Sequence, residues 1–164
     1  MKSSRRLSAI RLVAFDVDGV LTDGRFYLSD AGIEGKAFCT QDGFGIRKML
    51  KAGIEVAVIS GRRSRAVELR MQELGVKHVV LGCADKVEAL DLLCASLGID
   101  KSECAYVGDD MPDLPLLRQV GFSVTVPNGV AEVRKECDYT TTASGGYGAV
   151  REVCDMILEA AART

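Results

Sequence analysis

Short apolar, β-branched runs alternate along this chain with longer segments whose apolar positions recur every three or four residues. The runs are RLVAFDV (11–17), IEVAVIS (54–60), KHVVLG (77–82), CAYVGDD (104–110) and FSVTV (122–126). Between them lie DGFGIRKMLKAG (42–53), RSRAVELRMQELG (63–75), KVEALDLLCASLG (86–98) and DLPLLRQVG (113–121). Strands buried on both faces read as continuous apolar sequence, and their alternation with helices builds βαβ units around a parallel sheet. The helical segments end at Gly53, Gly75, Gly98 and Gly121, where glycine can take the left-handed conformation that follows a last helical turn. One stretch breaks the rhythm: RFYLS (25–29) and EGKAF (34–38) flank the turn-forming DAG (30–32), which predicts a hairpin projecting from the sheet. A glycine-rich loop, SGGYG (144–148), precedes a terminal helix with Val150, Val153, Ile157 and Leu158 on one stripe. No repeat, linker or second-domain boundary interrupts this order. The expected fold is therefore α/β, a single doubly wound, Rossmann-like parallel sheet over residues 1–164 with a projecting β-hairpin and no cap domain.

Composition narrows the class. With 164 residues, 48% of them apolar and 27% charged, and only three prolines, the chain is long enough to bury a core and unsuited to disorder. A net charge of −2 with scattered basic residues gives no nucleic-acid footprint, which leaves small-molecule chemistry. The single histidine, His78, and six cysteines without a CxxC spacing argue against zinc and for reduced core thiols. The basic start MKSSRR is followed by too short an apolar run for a leader or a membrane span, so a cytoplasmic location is expected.

The chemistry sits where the strands end. In an open parallel sheet, ligands bind beyond the carboxyl ends of the strands. There the chain places Asp16 and Asp18, then Ser60, Gly61 and Arg62, then Asp85 and Lys86, then Asp109 and Asp110 with Asp113 a turn later. An Asp-x-Asp-Gly stretch alone is a common turn, and Ser60 or Lys86 alone a helix start; their recurrence behind successive strands makes them a site. Converging carboxylates would repel by about 4 kcal/mol per pair at about 4 Å with an effective dielectric near 20, so a cation belongs among them. Oxygen-only ligands with room for water and phosphate suit magnesium, and Lys86 adds a fixed positive charge. A carboxylate nucleophile, a second carboxyl able to move a proton, a metal, a hydroxyl and a lysine describe phosphoryl transfer through an aspartyl-phosphate. Asp23, beyond the glycine turn, reads as a structural residue that starts the hairpin. His78 reads as structural or surface, and Arg62, Arg63, Arg65 and Arg70 as helix-face charges of which an anionic substrate would recruit one or two.

The strings DVDGVLTDG, SGR, DK and GDDMPDLP resemble the four motifs of the haloacid dehalogenase superfamily of phosphatases. DGVLTDG, DGFGI, the arginine of ELR, AYVGDDMPDLP and GGYGAVREVCD look like its small, cap-less subfamily of sugar-acid phosphatases. The resemblance implies magnesium-dependent hydrolysis of a phosphorylated eight-carbon keto-sugar acid, on the route to lipopolysaccharide of Gram-negative bacteria. It implies that Asp16 attacks phosphorus, while Asp18 protonates the leaving oxygen and then activates water. Asp16, the backbone carbonyl of Asp18, and Asp109 would hold magnesium, with Asp110 in support, and Ser60 and Lys86 would bind the phosphoryl group. Thr40, Gln41, Asp42, Gly43, Arg47, Arg62 and Arg70 match positions that contact the sugar acid. It also implies a homotetramer in which the hairpin, residues 24–38, and the loop GGYGAVRE complete a neighbour's site. Gln41, Leu81 and Cys83 depart from residues common among relatives, which bears on the substrate contacts. Because the resemblance extends to phosphatases of nine-carbon sugar acids on the same cap-less framework, that substrate class stays open. Dehalogenation is disfavoured by the presence of Asp18, and a non-catalytic tetramerisation module by the full set of acids.

Overall fold

A computed structural model describes residues 6–163, so the basic start at residues 1–5 lies outside it. Six parallel strands form the central sheet: β1 (Leu12–Phe15), β4 (Glu55–Ser60), β5 (His78–Leu81), β6 (Cys104–Val107), β7 (Phe122–Thr125) and β8 (Tyr139–Thr140). Their order is β5-β4-β1-β6-β7-β8, with β1 central and in register with both neighbours, Leu12 opposite Glu55 on one side and Cys104 on the other. Strands β2 (Tyr27–Leu28) and β3 (Glu34–Gly35) pair antiparallel as the separate hairpin expected from residues 25–38.

Side chains alternate across each strand, so one sheet feeds two cores. Val13, Phe15, Val56, Val58 and Val107 face α1 (Thr40–Lys51), α2 (Arg65–Leu74) and α6 (Ala149–Ala162), which supply Ile46, Met49, Met71, Val153 and Ile157. Leu12, Ala14, Ala57, Ile59 and Tyr106 face the other way, against Leu90 of α3 (Lys86–Leu97), Leu116 of α4 (Leu114–Leu117) and Val133 of α5 (Ala131–Glu136). The doubly wound reading holds. Burial on both faces explains why β1, β4 and β6 carry almost no polar alternation.

Three local readings differ from expectation. The helix expected over 113–121 is a short 3₁₀ turn, Met111–Asp113, followed by only four α-helical residues. Strand β8 and helix α5 had no clear sequence signal, being two and six residues long. Gly53, Gly75 and Gly98 do take positive φ, but Gly121 does not: a side chain there would collide with the backbone carbonyl of Ser102, so close packing is its requirement. Among the described residues, no helix is long and apolar enough to cross a membrane.

Candidate active site

Asp16 is the first residue past β1, and its N–H still continues the sheet by donating to the Val107 carbonyl at 2.9 Å. The chain then leaves the sheet through a wide turn, Val17–Leu21, closed by Thr22 N–H donating to the Val17 carbonyl. The Thr22 hydroxyl accepts from the N–H groups of Gly19 and Gly24 and fixes the turn. Gly19 has φ +86°, and any side chain there would fall on the Asp109 carboxylate. The DxDG order is thus a packing requirement: glycine lets an acid from β6 come down onto the loop that carries Asp16 and Asp18.

Lys86 opens α3, whose start is fixed by Asp85 accepting from the N–H groups of Val87 and Glu88 at 2.9 and 3.1 Å. From there the Lys86 ammonium lies 3.0 Å from Asp16 and 2.6 Å from Asp113, and it donates to the Tyr106 hydroxyl at 3.2 Å. Asp113 is fully committed. One oxygen accepts from Lys86 and from the Tyr106 hydroxyl at 2.6 Å, and the other accepts from the N–H groups of Asp109 and Asp110 at 2.9 and 3.1 Å. It ties together the lysine and the turn that carries Asp109. Sequence reading placed Asp113 near the site without this role; its signal is the spacing of four from Asp109, one helical turn. Asp110 accepts from the Met111 N–H and caps that turn.

Burial raises the Asp16 pKa to about 6, helped by Asp113 and opposed by Lys86. Burial, then Asp16, Asp113 and Asp110, raises that of Asp109 to about 8. Burial works against the charge on Lys86, but Asp16 and Asp113 outweigh it and hold the ammonium above its ordinary range. Asp16 and Asp109 therefore compete for a proton in the absence of a cation. Asp16, Asp109 and Asp113 each bring a carboxylate oxygen within 4.8 Å of the others. With Asp113 saturated by four donors, Asp16 and Asp109 are the pair with acceptor capacity to spare, and an all-oxygen set of this kind fits magnesium.

These groups open into a cavity of about 300 Å³ whose wall includes Asp16, Asp18, Ser60, Arg62, Lys86, Asp109 and Asp110. The catalytic and metal residues expected from sequence thus come together. The residues expected to contact the sugar acid divide. Arg62 reaches the cavity, whereas Thr40, Gln41, Asp42, Gly43, Arg47 and Arg70 lie outside its wall. Arg70 pairs with Glu73 at 2.8 Å and packs against Gly43, and Arg47 donates to the Glu73 carbonyl. Asp42 accepts from the Arg151 N–H at the start of α6. His78 contacts Glu55 at 3.1 Å on strand β5, away from the acids. A wider groove of about 500 Å³ beside β5 holds Arg63 and Glu68 but none of the aspartates of the site.

Two further contacts had no sequence signal. Asn128 donates to the Gly19 carbonyl at 2.9 Å and accepts from the Gly145 N–H at 2.8 Å, so the loop after β7 joins the Asp16 loop to SGGYG. Lys36, at the base of the hairpin, contacts the Asp18 carboxylate.

Residues 82–152 match the model of the haloacid dehalogenase-like hydrolase family. The chain is 44% identical over 156 residues to the 3-deoxy-D-manno-octulosonate 8-phosphate phosphatase of Yersinia pestis, covering 95% of this chain and 83% of that protein. It is 46% identical over 154 residues to the enzyme of the same name from Escherichia coli K12, covering 94% and 82%. Its structure superposes with a TM-score of 0.94 and 48% identity on the Moraxella catarrhalis phosphatase of that name, crystallised with magnesium, phosphate and KDO, over 96% of this chain and 90% of that one. Sequence, sheet order and the carboxylate cluster agree, and the chain belongs to the 3-deoxy-D-manno-octulosonate 8-phosphate phosphatase family of haloacid dehalogenase-like hydrolases.

Proposed function

We propose that this chain is a magnesium-dependent phosphatase that hydrolyses 3-deoxy-D-manno-octulosonate 8-phosphate to the free sugar acid and phosphate. The observation that carries the reading is Asp16, a buried carboxylate held 3.0 Å from Lys86 in a cavity shared with Asp18, Ser60 and Asp109. Asp16 is the nucleophile. Lys86 offsets its charge and, with Ser60, receives the phosphoryl oxygens. Asp18 gives a proton to the leaving sugar oxygen and later takes one from the water that opens the aspartyl-phosphate. Magnesium held by Asp16, Asp109 and the Asp18 backbone carbonyl, with Asp110 in support, would neutralise charge on the phosphoryl group.

The whole chain would act as one cap-less catalytic domain in the cytoplasm. Phe26, Tyr27, Leu28 and Ile33 on the hairpin are 43%, 71%, 67% and 70% exposed, an apolar surface suited to contact with a neighbouring copy. This supports a homotetramer in which the hairpin, residues 24–38, and the loop GGYGAVRE complete a neighbouring subunit's site. Sizing that finds a fully active monomer would remove this part of the reading.

Phosphate release from a panel of sugar phosphates, with magnesium and with chelator, tests the function. Turnover should need magnesium, vanish in Asp16→Asn, and show its highest specificity constant with the eight-carbon substrate. The nine-carbon acylneuraminate 9-phosphate is the competitor to include in that panel. A higher specificity constant for that ester would change the substrate and leave the chemistry standing.

A further inference from the structure

Lys36 is unusual among the basic side chains: it belongs to the hairpin, yet its side chain is only 1% exposed. Its ammonium contacts one oxygen of Asp18 and lies 3.5 Å from Glu34. Glu34 in turn pairs with Arg62 at 2.7 Å, and Arg62 stands 4.0 Å from the second oxygen of Asp18. Four charges of alternating sign thus close a ring at the cavity wall, with the ring of Phe26 4.3 Å beneath the Arg62 guanidinium. A lysine buried to this degree needs paired acids around it, and here those acids are Glu34 and Asp18.

We propose that Lys36 is a positioning residue for the proton transfers of the reaction, fixing the Asp18 carboxyl toward the cavity while Glu34, braced by Arg62, fixes Lys36. This rests on the reading of Asp18 as acid and base. In the first half-reaction an Asp16 oxygen bonds to phosphorus, the ester P–O bond breaks, and the Asp18 proton goes to the leaving oxygen. In the second, water attacks phosphorus, its proton returns to Asp18, and the acyl-phosphate P–O bond breaks to release phosphate and free Asp16. A displaced Asp18 harms both proton transfers. It spares only the attack of Asp16 on an ester whose leaving group needs no proton.

Rapid-mixing kinetics with magnesium present, on the full chain, separates these steps. The substrates are p-nitrophenyl phosphate, whose leaving group needs no acid, and 3-deoxy-D-manno-octulosonate 8-phosphate, whose leaving group does. For Lys36→Met we expect a nitrophenolate burst of one per chain at a rate within about threefold of wild type, followed by turnover slower on the order of 30-fold or more, in keeping with positioned acid–base catalysis. On the sugar ester the first turnover should fall by a similar factor, with the loss in kcat and little in KM. Glu34→Gln should repeat the pattern more weakly, and it decides the matter on the same criteria if Lys36→Met does not melt cooperatively. A burst that slows together with turnover, a loss carried by KM, or no loss would overturn the role of Lys36. A wild type that cleaves neither ester would instead overturn the functional reading on which it rests.

Discussion

Asp42 provides a quantitative test of how this fold tolerates a buried acid. It sits in the first turn of α1, 2% exposed, and accepts from the Arg151 N–H across the helix interface. Burial raises its pKa from 3.8 to about 6, against the N–H groups at the start of α6 that favour the charged form. The folded chain therefore binds this proton more tightly than the unfolded chain. Stability falls as pH rises through the interval between the two values and stays lower above it. At about 1.4 kcal/mol per pH unit, the fall is at most about 3 kcal/mol. Asp42→Asn keeps an oxygen for the Arg151 N–H and removes the titration. Urea unfolding of both proteins at fixed concentration, with chelator, from pH 3.5 to 8 would measure the difference. Whatever offset the amide brings at pH 3.5, the variant should gain on wild type by up to about 3 kcal/mol between pH 4 and 6 and then hold level. A difference that does not change with pH, or that moves in favour of wild type, would refute the assignment of the shift to burial.

Other outcomes follow from the site. Asp113→Asn leaves Lys86 and two backbone N–H groups short of acceptor capacity; we expect a loss of about 3 kcal/mol by thermal or urea unfolding, and a fall in kcat of on the order of 100-fold. Magnesium binding near pH 7 should release up to one proton per chain, because burial raises the pKa of Asp109 to about 8 and that of Asp16 to about 6. Titration calorimetry in buffers of different ionisation enthalpy would show this release, and it should vanish near pH 9.5, where both acids are already ionised.

Strands β1, β4 and β6 were legible because burial on both faces writes each as a nearly unbroken apolar run, and β5 and β7 because β-branched residues recur in them between turn signals. Asp16, Asp18, Ser60, Lys86 and Asp109 were legible because each lies at the end of such a run or within a few residues after it. Asp113 was visible as an acid but not as a brace, since its partners Lys86 and Tyr106 meet it only through the fold. Lys36 was missed for a related reason: it follows a two-residue strand outside the sheet, and its partner Asp18 lies eighteen positions earlier. Gly121 looked like a helix cap because a close approach and a left-handed turn call for the same residue.

The Asn128 bridge also bears on how the molecule is made. It reaches back 109 positions to the Gly19 carbonyl, and its other arm holds Gly145, which packs onto Gly19 from the far end of the chain. The loop that carries Asp16 and Asp18 is made well before the residue that clasps it, 109 positions later than Gly19. A nascent chain that has not yet reached residue 145 lacks the Gly145 half of that clasp, so the loop of Asp16 and Asp18 gains this support only after both Asn128 and Gly145 have joined the fold.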